Sequence, residues 1–576
     1  MSAGIRVWAP LAGRVEVVSG ARRTTMTAMP GGWFAAPRAT AGHDGRYLLS
    51  VNGGEPMPDP RSAHQPDGVH GHSVLVDHSA FAWTDSGWRG LPLRDAVIYE
   101  LHIGTFSEIG TFDAAITKLP HLVELGINAV DLMPVATFPG SRGWGYDGVD
   151  LYAPHPAYGG PEGLKRFVDA CHAQGIAVVL DVVYNHLGPD GNYLGAFGPY
   201  FTNAYATPWG SAMNFDGRGS DEVRRFFVDN ALTWLRDYHC DGLRLDAVHA
   251  IIDTSALHFL EQVAAEVREL GVKTGRELWL IAESDLNDPR VVSPAARGGY
   301  GFDAQWSDDF HHALHAVLTG EGGGYYADFG RLADLSTALR QAFVYDGRHS
   351  QFRERSHGRR PQEIPGWAFL GYIQDHDQVG NRAAGERISQ LVSPGLARVA
   401  AALVLLSPFT PMLFAGEEWG AATPFLYFTD HQDEKLGRAV TEGRRREFAA
   451  FGWQEDSVPN PQAADTFEAS RLRWDEPGTE PHMATLKWYQ ALLRLRSNSP
   501  ALRDGRLDLV AVDHDEDARW LVMRRGEIEL YCNFSGRPIR LPASGEVILA
   551  SEEGTRLDGS GIELPPESAA VLRNTG

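Results

Sequence analysis

The chain has 576 residues, with 52 basic and 74 acidic side chains and a net charge of −22. This length exceeds one ordinary domain and suits a large barrel accompanied by smaller modules. The excess of carboxylates repels phosphate backbones and anionic lipids, so we expect neither nucleic acid nor a membrane as a partner. A neutral substrate fits this charge better.

The N-terminal stretch MSAGIRVWAP has no basic segment followed by a long apolar run, so we predict no signal peptide and a cytoplasmic location. The most apolar segment, 399–416, contains two prolines and favours a buried helix followed by a strand over a membrane span. The sparse cysteines give no disulfide framework or zinc-like cluster, and we expect three reduced, buried thiols: Cys171, Cys240 and Cys532.

Three regions differ in their pattern of apolar, polar and turn-forming residues. Residues 1–92 alternate short apolar runs with Gly, Pro and Asp, which predicts an immunoglobulin-like β-sandwich. Residues 93–500 alternate strand-like and helix-like segments, which predicts an α/β fold, a catalytic (β/α)8 TIM barrel with loop insertions. Residues 501–576 return to short strands and predict a C-terminal β-sandwich.

Several candidate strands of the barrel open as near-continuous apolar runs, as strands buried on both faces do. The clearest helix between them is 220–239, where apolar residues recur at i, i+3 and i+4 from a start near Ser220. Alternation sustained eight times favours a closed barrel over an open sheet. The eight segments are 96–106, 127–135, 175–186, 241–248, 278–284, 302–309, 368–377 and 410–419.

Charged and polar residues cluster at one end of these strands, where barrel enzymes hold their active sites. A purely structural ion network is the alternative, but buried charges are costly unless they are paired. The strand-end residues are Asp181, Asn185 and His186; Arg244, Asp246 and His249; Glu283; Asp375, His376 and Asp377; and Glu417 and Glu418.

Two carboxylates predict glycoside hydrolysis. Arg244 lies two residues before Asp246 on one strand, so it faces the same way and should hold Asp246 ionised as a nucleophile. Glu283 follows an apolar run, which would raise its pKa toward that of a general acid. Asp377 would grip the reacting sugar ring. The alternatives are that Asp377 only caps a helix and that Glu283 only pairs with Arg244.

The histidines allow two interpretations. His186, His249 and His376 could bind a metal with Asp181 and Asp246, or neutral imidazoles could donate hydrogen bonds to sugar hydroxyls. The first strand supplies a single histidine and no H-x-H pair, so we favour the second interpretation. Aromatic rings that could be sugar platforms or core surround these motifs: Trp144, Tyr146, Tyr152, Trp209 and Trp306.

Four segments resemble, in order and spacing, the signature segments of the α-amylase superfamily: DVVYNH (181–186), GLRLDAVH (242–249), AES (282–284) and QDHD (374–377). The resemblance implies that Asp246 is the nucleophile, Glu283 the acid/base and Asp377 the transition-state stabiliser. It also implies that Tyr146 stacks beneath the reacting sugar. The remaining residues implied to contact that sugar or hold the carboxylates are His186, Arg244, His249 and His376.

Flanking segments in all three regions resemble a narrower group, the maltooligosyltrehalose trehalohydrolase family. They include PDPRSAHQPDGVHGHS (58–73), QWSDDFHHALH (305–315), DHDQVGNR (375–382) and PFLYFTDH (424–431). One departure, His72 in place of the family's proline, lies in a linker. By this resemblance the substrate-binding set also contains Asp147, Asp308, His312, Gln378 and Asn381, and we expect no cofactor and no required metal.

The resemblance implies retaining hydrolysis of the α-1,4-glucosidic bond next to the terminal trehalose unit of maltooligosyltrehalose, with related α-glucans as further partners. Three alternatives stay open. A glycogen-branching transferase would pass the same glycosyl-enzyme to a sugar hydroxyl, and a debranching enzyme would cut α-1,6 bonds. A catalytically inactive glucan-binding protein would have no need for the three acids.

Overall fold

The computed structural model describes residues 4–207, 210–450 and 458–574. Its centre is a closed barrel of eight parallel strands, and each strand lies inside a segment predicted from the sequence. The barrel fold is therefore confirmed. In chain order the strands are β1 (Ile98–Leu101), β2 (Ala129–Leu132), β3 (Ala177–Val182), β4 (Gly242–Leu245), β5 (Trp279–Ala282), β6 (Ala304–Trp306), β7 (Phe369–Gly371) and β8 (Thr410–Phe414).

Helices cover the outside of the barrel. The helix predicted at 220–239 is Ser220–Asp237, and its apolar stripe is buried. Between β5 and β6, where residues 283–303 are all described, the connection contains only a short 3-10 turn. The α-helices are Ile103–Phe106, Phe112–Ile116, Leu119–Leu125, Gly160–Ala173, Leu194–Phe197, Ser220–Asp237, Phe259–Thr274, Asp308–Thr319, Leu332–Gln341, His376–Gly380, Ile388–Leu391, Pro394–Leu406, Glu434–Ala450, Ala464–Ala469, His482–Asn498 and Pro500–Arg503.

The barrel interior changes from apolar to charged along the strand direction. A compact apolar cluster, which includes Ile98, Val179 and Ile281, fills the end where the strands begin. Further along, the register places Glu100 of β1 beside Asp131 of β2, and Asp181 of β3 beside Arg244 of β4. The charged side chains therefore gather toward the carboxyl ends of the strands, where loops leave room for a ligand.

Paired antiparallel sheets flank the barrel on both sides in sequence, which confirms the predicted sandwiches. The N-terminal pair joins Ile5–Trp8, Trp33–Ala36 and Thr27–Met29 in one sheet and Arg22–Thr25, Val15–Ser19, Arg46–Val51 and Ser73–Val74 in the other. The C-terminal pair joins Val510–Asp515, Trp520–Arg525, Ile528–Asn533, Ser568–Arg573 and Glu546–Ala550 in one and Ile539–Leu541, Gly561–Leu564 and Arg556–Asp558 in the other. The boundaries at 92 and 500 stay predictions.

Short two-stranded sheets decorate the barrel loops: Ala136–Thr137 with Asp150–Pro154, Phe201–Thr207 with Gly210–Met213, and Asp346–Ser350 with Arg355–Gly358. The apolar segment 399–416 forms the end of helix Pro394–Leu406 and then β8, as predicted. Among the described residues, no helix has the length and apolar character needed to cross a bilayer. All three cysteines are buried and unbridged.

Candidate active site

A single guanidinium group connects three carboxylates at the carboxyl end of the barrel. Arg244 Nη1 donates to Asp181 Oδ2 at 2.6 Å and to Asp246 Oδ1 at 3.1 Å, while Nη2 donates to Glu283 Oε2 at 2.6 Å. The Arg244 guanidinium carbon lies 4.3 Å from the centre of the Trp306 ring, and Arg244 is only 1% exposed. A planar group fixed in this way holds its carboxylate partners at set positions.

Asp246 follows β4 and has the environment of an ionised carboxylate. Its Oδ2 accepts a 2.7 Å hydrogen bond from the Asn185 amide, which also binds the Asp246 carbonyl at 2.8 Å. Burial acts to raise the pKa of Asp246, but Arg244, His186, Asn185 and a hydrogen bond from Glu283 outweigh it and lower the pKa. Asp246 is therefore the acid of this pair that stays ionised.

Glu283 has the opposite balance. Burial raises its pKa well above the usual value, and the charges of Asp246 and Asp377 add to that rise. Arg244 and the amide of Ala247, whose nitrogen donates to Glu283 Oε2 at 2.9 Å, lower the pKa but do not cancel the rise. The alternative that Glu283 pairs with Arg244 is thus correct as geometry, and the role of Glu283 as the acid/base stays a prediction.

Asp377 lies in the first turn of the short helix His376–Gly380, half-buried beside the pair. Asp375 caps this helix, because its Oδ1 accepts from the Gln378 amide at 2.7 Å. The alternative that Asp377 is only the cap is therefore wrong. Asp377 Oδ1 instead accepts from the Asn381 side chain at 2.6 Å, which orients the carboxylate toward the same cavity as Glu283.

His376 is buried inside the barrel, between two hydrogen-bond partners. Its Nδ1 lies 2.5 Å from Glu100 Oε1, and its Nε2 lies 2.8 Å from the Tyr146 hydroxyl. Burial acts to lower the pKa of His376, but Glu100, together with Asp375 and Asp377, raises it to about 10. The prediction of a neutral imidazole is therefore wrong for His376, because its charge is balanced by buried carboxylates.

The other predicted histidines have separate partners. His186 Nε2 lies 3.1 Å from the Tyr146 carbonyl, and its Nδ1 contacts the Asn185 side chain. His249 Nε2 lies 3.9 Å from Asp285 Oδ1. Asp147 lies 3.8 Å from His431 Nε2. Within the described part of the chain, no group of three or more His, Cys, Asp or Glu is arranged to hold a metal ion.

These side chains surround an open cavity of about 400 Å³. Ten of the predicted site residues line it, and together they place two acids of different protonation state, a guanidinium and an aromatic ring around one space. Such a cavity suits a polar, uncharged ring, because its charged side chains can stabilise the charge that develops on the ring during reaction. Its lining is Trp144, Tyr146, Asp147, His186, Arg244, Asp246, Ala247, His249, Glu283, His376, Asp377, Asn381, Tyr427, Phe428 and Thr429.

The chain is similar to known proteins over its whole length. Residues 87–198 match the family described as alpha amylase, catalytic domain, and residues 505–571 match a domain of unknown function, DUF3459. A malto-oligosyltrehalose trehalohydrolase from Mycobacterium tuberculosis (strain ATCC 25618 / H37Rv) is 50% identical over 99% of this chain and 98% of that protein. The protein of the same description from Arthrobacter ramosus is 51% identical over 98% of this chain and 99% of that protein.

The chain belongs to the malto-oligosyltrehalose trehalohydrolase family.

Membership of the trehalohydrolase family makes the protein a glycoside hydrolase of the α-amylase type, which confirms the family and enzyme class predicted from the four motifs. A crystal structure from Salmonella typhimurium, described as an alpha amylase, has the same overall fold. It is 39% identical, with a TM-score of 0.91, and the alignment covers 99% of this chain and 97% of that one.

Three residues predicted to bind substrate in this trehalohydrolase-family chain do not line the cavity: Asp308, His312 and Gln378. Tyr325 connects two of them, because its ring stacks on His312 with centres 5.0 Å apart and its hydroxyl lies 3.4 Å from Gln378 Oε1. Asp308 accepts from the Tyr372 hydroxyl at 2.7 Å, and burial raises its pKa to about 7. Their contact with substrate stays a prediction.

The candidate aromatic platforms separate into different roles. Tyr146 remains at the cavity, with its ring stacked on His376 at 5.2 Å between centres. Trp144 lines the cavity but is 5% exposed and stacks on Phe425, and Tyr152 is buried with its hydroxyl bound to the Phe226 carbonyl. Trp306 supports Arg244. Trp209 lies outside the described residues.

Sequence reasoning missed several residues that shape the site. Glu100 was hidden inside the first strand segment, although its alternation with Tyr99 offered a weak signal of an inward side chain. Asn185 was noted at a strand end but given no role, and Ala247 has no chemistry to reveal it. The cavity residues Tyr427 and Thr429 come from the loop after β8, which no strand pattern could place.

Proposed function

We propose that the protein hydrolyses the α-1,4-glucosidic bond between a maltooligosaccharide and its terminal trehalose unit, and releases trehalose. The observation that carries this proposal is the sequence similarity to proteins described as malto-oligosyltrehalose trehalohydrolases, which are 50% and 51% identical to this chain over nearly its full length. The site supports it, because two acids of opposite protonation state face one cavity, as glycoside hydrolysis needs.

In the first step Glu283 gives its proton to the glycosidic oxygen, and trehalose leaves with that oxygen. Asp246 forms a bond to the anomeric carbon as the carbon–oxygen bond breaks, which gives a covalent glycosyl-enzyme. In the second step Glu283 takes a proton from water, and the hydroxide oxygen replaces Asp246. Two inversions leave the α configuration of the released maltooligosaccharide unchanged.

The proximity of the two acids supports double displacement. A hydrogen bond from the Glu283 carboxyl contributes to the low pKa of Asp246, and both carboxylates bind the same guanidinium. Retaining enzymes hold these groups roughly 5 to 5.5 Å apart, whereas inverting enzymes need room for a water between them. We expect the two carboxyl groups to lie at that retaining distance of roughly 5 to 5.5 Å when substrate is bound between them.

Other residues would act on the ring in the cavity. Asp377 would bind sugar hydroxyls, and its contact would strengthen as the ring flattens toward the transition state. The Tyr146 ring would stack on the apolar face of the sugar. The further predicted contacts are Asp147, His186, His249, His376 and Asn381 at the cavity and Asp308, His312 and Gln378 beside it.

Further α-glucans, a cytoplasmic location and independence from metals and cofactors complete the proposal. The site supports metal independence through the distribution of its carboxylates, because Arg244 occupies the position between Asp181, Asp246 and Glu283 that a cation would fill. Activity in the presence of excess EDTA would agree with it, and activity restored only by added divalent cation would contradict it.

A parallel incubation tests the proposal. The purified protein is given maltooligosyltrehalose, amylose and a branched dextrin, and products are separated by chromatography. Release of free trehalose from the first substrate, with no chain transfer on amylose, is expected. New α-1,6 linkages from amylose would indicate a branching transferase, loss of branches from the dextrin would indicate a debranching enzyme, and binding without products would indicate an inactive glucan-binding protein.

A further inference from the structure

Glu100 is a buried carboxylate of β1 whose hydrogen bonds, among the residues that the structure describes, all go to His376. It is 2% exposed and has no place in the cavity lining. Its Oε2 accepts from the His376 backbone amide at 2.9 Å, and its Oε1 lies 2.5 Å from His376 Nδ1. Both oxygens are therefore committed to His376.

A chain of hydrogen bonds continues from His376 to the catalytic pair. His376 Nε2 lies 2.8 Å from the Tyr146 hydroxyl, which lies 2.6 Å from Asp181 Oδ2. Asp181 Oδ2 also accepts from Arg244 Nη1, whose guanidinium binds Asp246 and Glu283. These hydrogen bonds therefore connect β1, across the inside of the barrel, with both proposed catalytic acids.

The order of protons along this chain follows from which groups can donate. Tyr146 has one hydroxyl proton and directs it to the Asp181 carboxylate, so the Tyr146 oxygen must accept a proton from His376 Nε2. Glu100 is an acceptor, so His376 Nδ1 must also carry a proton. With Asp181 and Glu100 both ionised, this geometry places a proton on each nitrogen of His376, and Glu100 supplies the balancing charge.

We propose that Glu100 is a positioning residue that keeps His376 doubly protonated and thereby fixes the Tyr146 hydroxyl and Asp181 beneath Arg244. This inference rests on the proposed function, in which Arg244 orients the two catalytic acids. Glu100 touches no substrate in this scheme. Its effect on the reaction passes through the orientation of other groups.

The surroundings of His376 make Glu100 the dominant partner. Asp375 and Asp377 flank His376 on its own helix and favour its charge, but Glu100 makes the direct contact. Asp131 of β2 faces His376 as well, yet burial raises its pKa well above the usual value, which favours its neutral form. His102 also faces His376, and burial lowers its pKa to about 3, so it adds no opposing charge.

Removal of the Glu100 charge would change the proton order. A neutral His376 has one proton for two neighbours, so either Nδ1 or Nε2 becomes an acceptor. With Nε2 an acceptor, the Tyr146 hydroxyl would turn toward it and leave Asp181 without its tyrosine donor. Arg244 would then orient the two catalytic acids less firmly. This loss of orientation would increase as pH rises and His376 deprotonates.

The test is Glu100→Gln, which keeps the shape but removes the charge. The matched control is Glu418→Gln. Glu418 is a fully buried glutamate that also has a histidine, His121 at 2.8 Å, and a tyrosine, Tyr99 at 3.0 Å, as partners. Tyr99 and Glu100 are neighbours on β1 and point to opposite faces of the barrel wall, so the control lies outside the cavity.

For Glu100→Gln we expect kcat/KM on maltooligosyltrehalose to fall about 10- to 100-fold at pH 7, the range seen when the carboxylate that orients a functional histidine is removed from a metal site. The alkaline limb of the kcat/KM profile should move to lower pH, with a larger change in kcat than in KM. Glu418→Gln should keep the wild-type profile even where it lowers the melting temperature.

Nuclear magnetic resonance of 15N-histidine-labelled protein reads His376 directly and needs no substrate. Wild type at pH 8 should show both His376 nitrogens protonated, and Glu100→Gln should show a neutral ring. A neutral His376 in wild type at pH 8, or an unchanged ring and pH profile in Glu100→Gln, would overturn the inference. Failure of wild type to release trehalose would instead overturn the proposed function and leave the resonance result standing.

Discussion

The backbone amide of Ala247 donates a 2.9 Å hydrogen bond to Glu283 Oε2, and Ala247 makes this contact in a left-handed conformation with φ 37° and ψ 53°. This backbone region is costly for residues other than glycine, by about 1 to 3 kcal/mol. Ala247 directly follows Asp246. The strained turn after β4 therefore aims one backbone donor at Glu283, the acid that follows β5.

Substitutions of Ala247 should separate the role of the turn from the role of its side chain. Ala247→Val places a β-branched residue in a left-handed conformation, so we expect a loss of stability of about 1 to 3 kcal/mol and a fall in kcat. Ala247→Gly tolerates the conformation and should stay within about 1 kcal/mol of wild type. Urea unfolding and steady-state kinetics measure both, and equal kcat for the two variants would refute the role of the turn.

The roles proposed for Glu283 and Asp246 can be separated with a leaving group that needs no proton. Glu283→Gln and Asp246→Asn should each lower kcat on maltooligosyltrehalose by several orders of magnitude while keeping the fold. An α-maltosyl fluoride needs no proton to depart, so Glu283→Gln should recover glycosyl-enzyme formation with it, visible as added mass on the protein. Asp246→Asn should form no adduct. Adduct formation by Asp246→Asn would remove it from the nucleophile role.

The pH profile of kcat/KM should be bell-shaped. Asp246, whose pKa is lowered, must be ionised, so activity falls when pH drops below the usual aspartate range. Glu283, whose pKa is raised, must be protonated, so activity falls when pH rises above the usual glutamate range and through its higher folded value. With the fluoride substrate the alkaline limb of the first step should disappear. An alkaline limb that persists unchanged would argue against Glu283 as the acid.

A second charged cluster at the amino end of the barrel should make stability depend on pH. His172 Nδ1 lies 2.8 Å from Asp85 Oδ2 and its Nε2 lies 2.9 Å from Asp241 Oδ2, so the ring lies between two carboxylates. Burial acts to lower the pKa of His172, but Asp241 and Asp85 raise it. The pKa of Asp85 falls because its hydrogen bonds to His172 and His239 outweigh burial.

The sign of the effect follows from these directions. The His172 contribution is complete below its unfolded pKa of about 6.5 and is lost as pH rises through the higher folded value, whereas the Asp85 contribution is lost as pH falls below about 3.9 toward its lower folded value. At pH 5.5, His172→Gln should lower the free energy of unfolding by about 3 to 5 kcal/mol. The deficit should shrink at pH 9.

Urea unfolding at both pH values measures this difference. His70→Gln is the control, because His70 pairs with Asp190 at 3.0 Å but has a side chain 54% exposed, and it should cost less than about 1 kcal/mol. A His172 deficit that stays the same at pH 5.5 and pH 9 would contradict the ion-pair explanation and leave only packing.

The strands of the barrel could be predicted because burial on both faces requires unbroken apolar runs, and β3 and β8 have them in the sequence. The polar residues just past those runs could be assigned to one rim, because parallel strands end at the same edge. The weaker predictions involved the segments beyond the strand ends. Asp308 and His312 lie beside the cavity, since the position of a helix on the barrel rim depends on packing that no local pattern records.

The sequence by itself determined which acids meet, because Asp246 and Glu283 follow neighbouring strands of a closed barrel. Tertiary structure decided how their protons are distributed. One guanidinium reaches both acids and Asp181, since neighbouring strands lie about 4.8 Å apart however far apart they are in the chain. The charge of His376 likewise depends on Glu100, which lies 276 residues away and is brought close only by closure of the barrel.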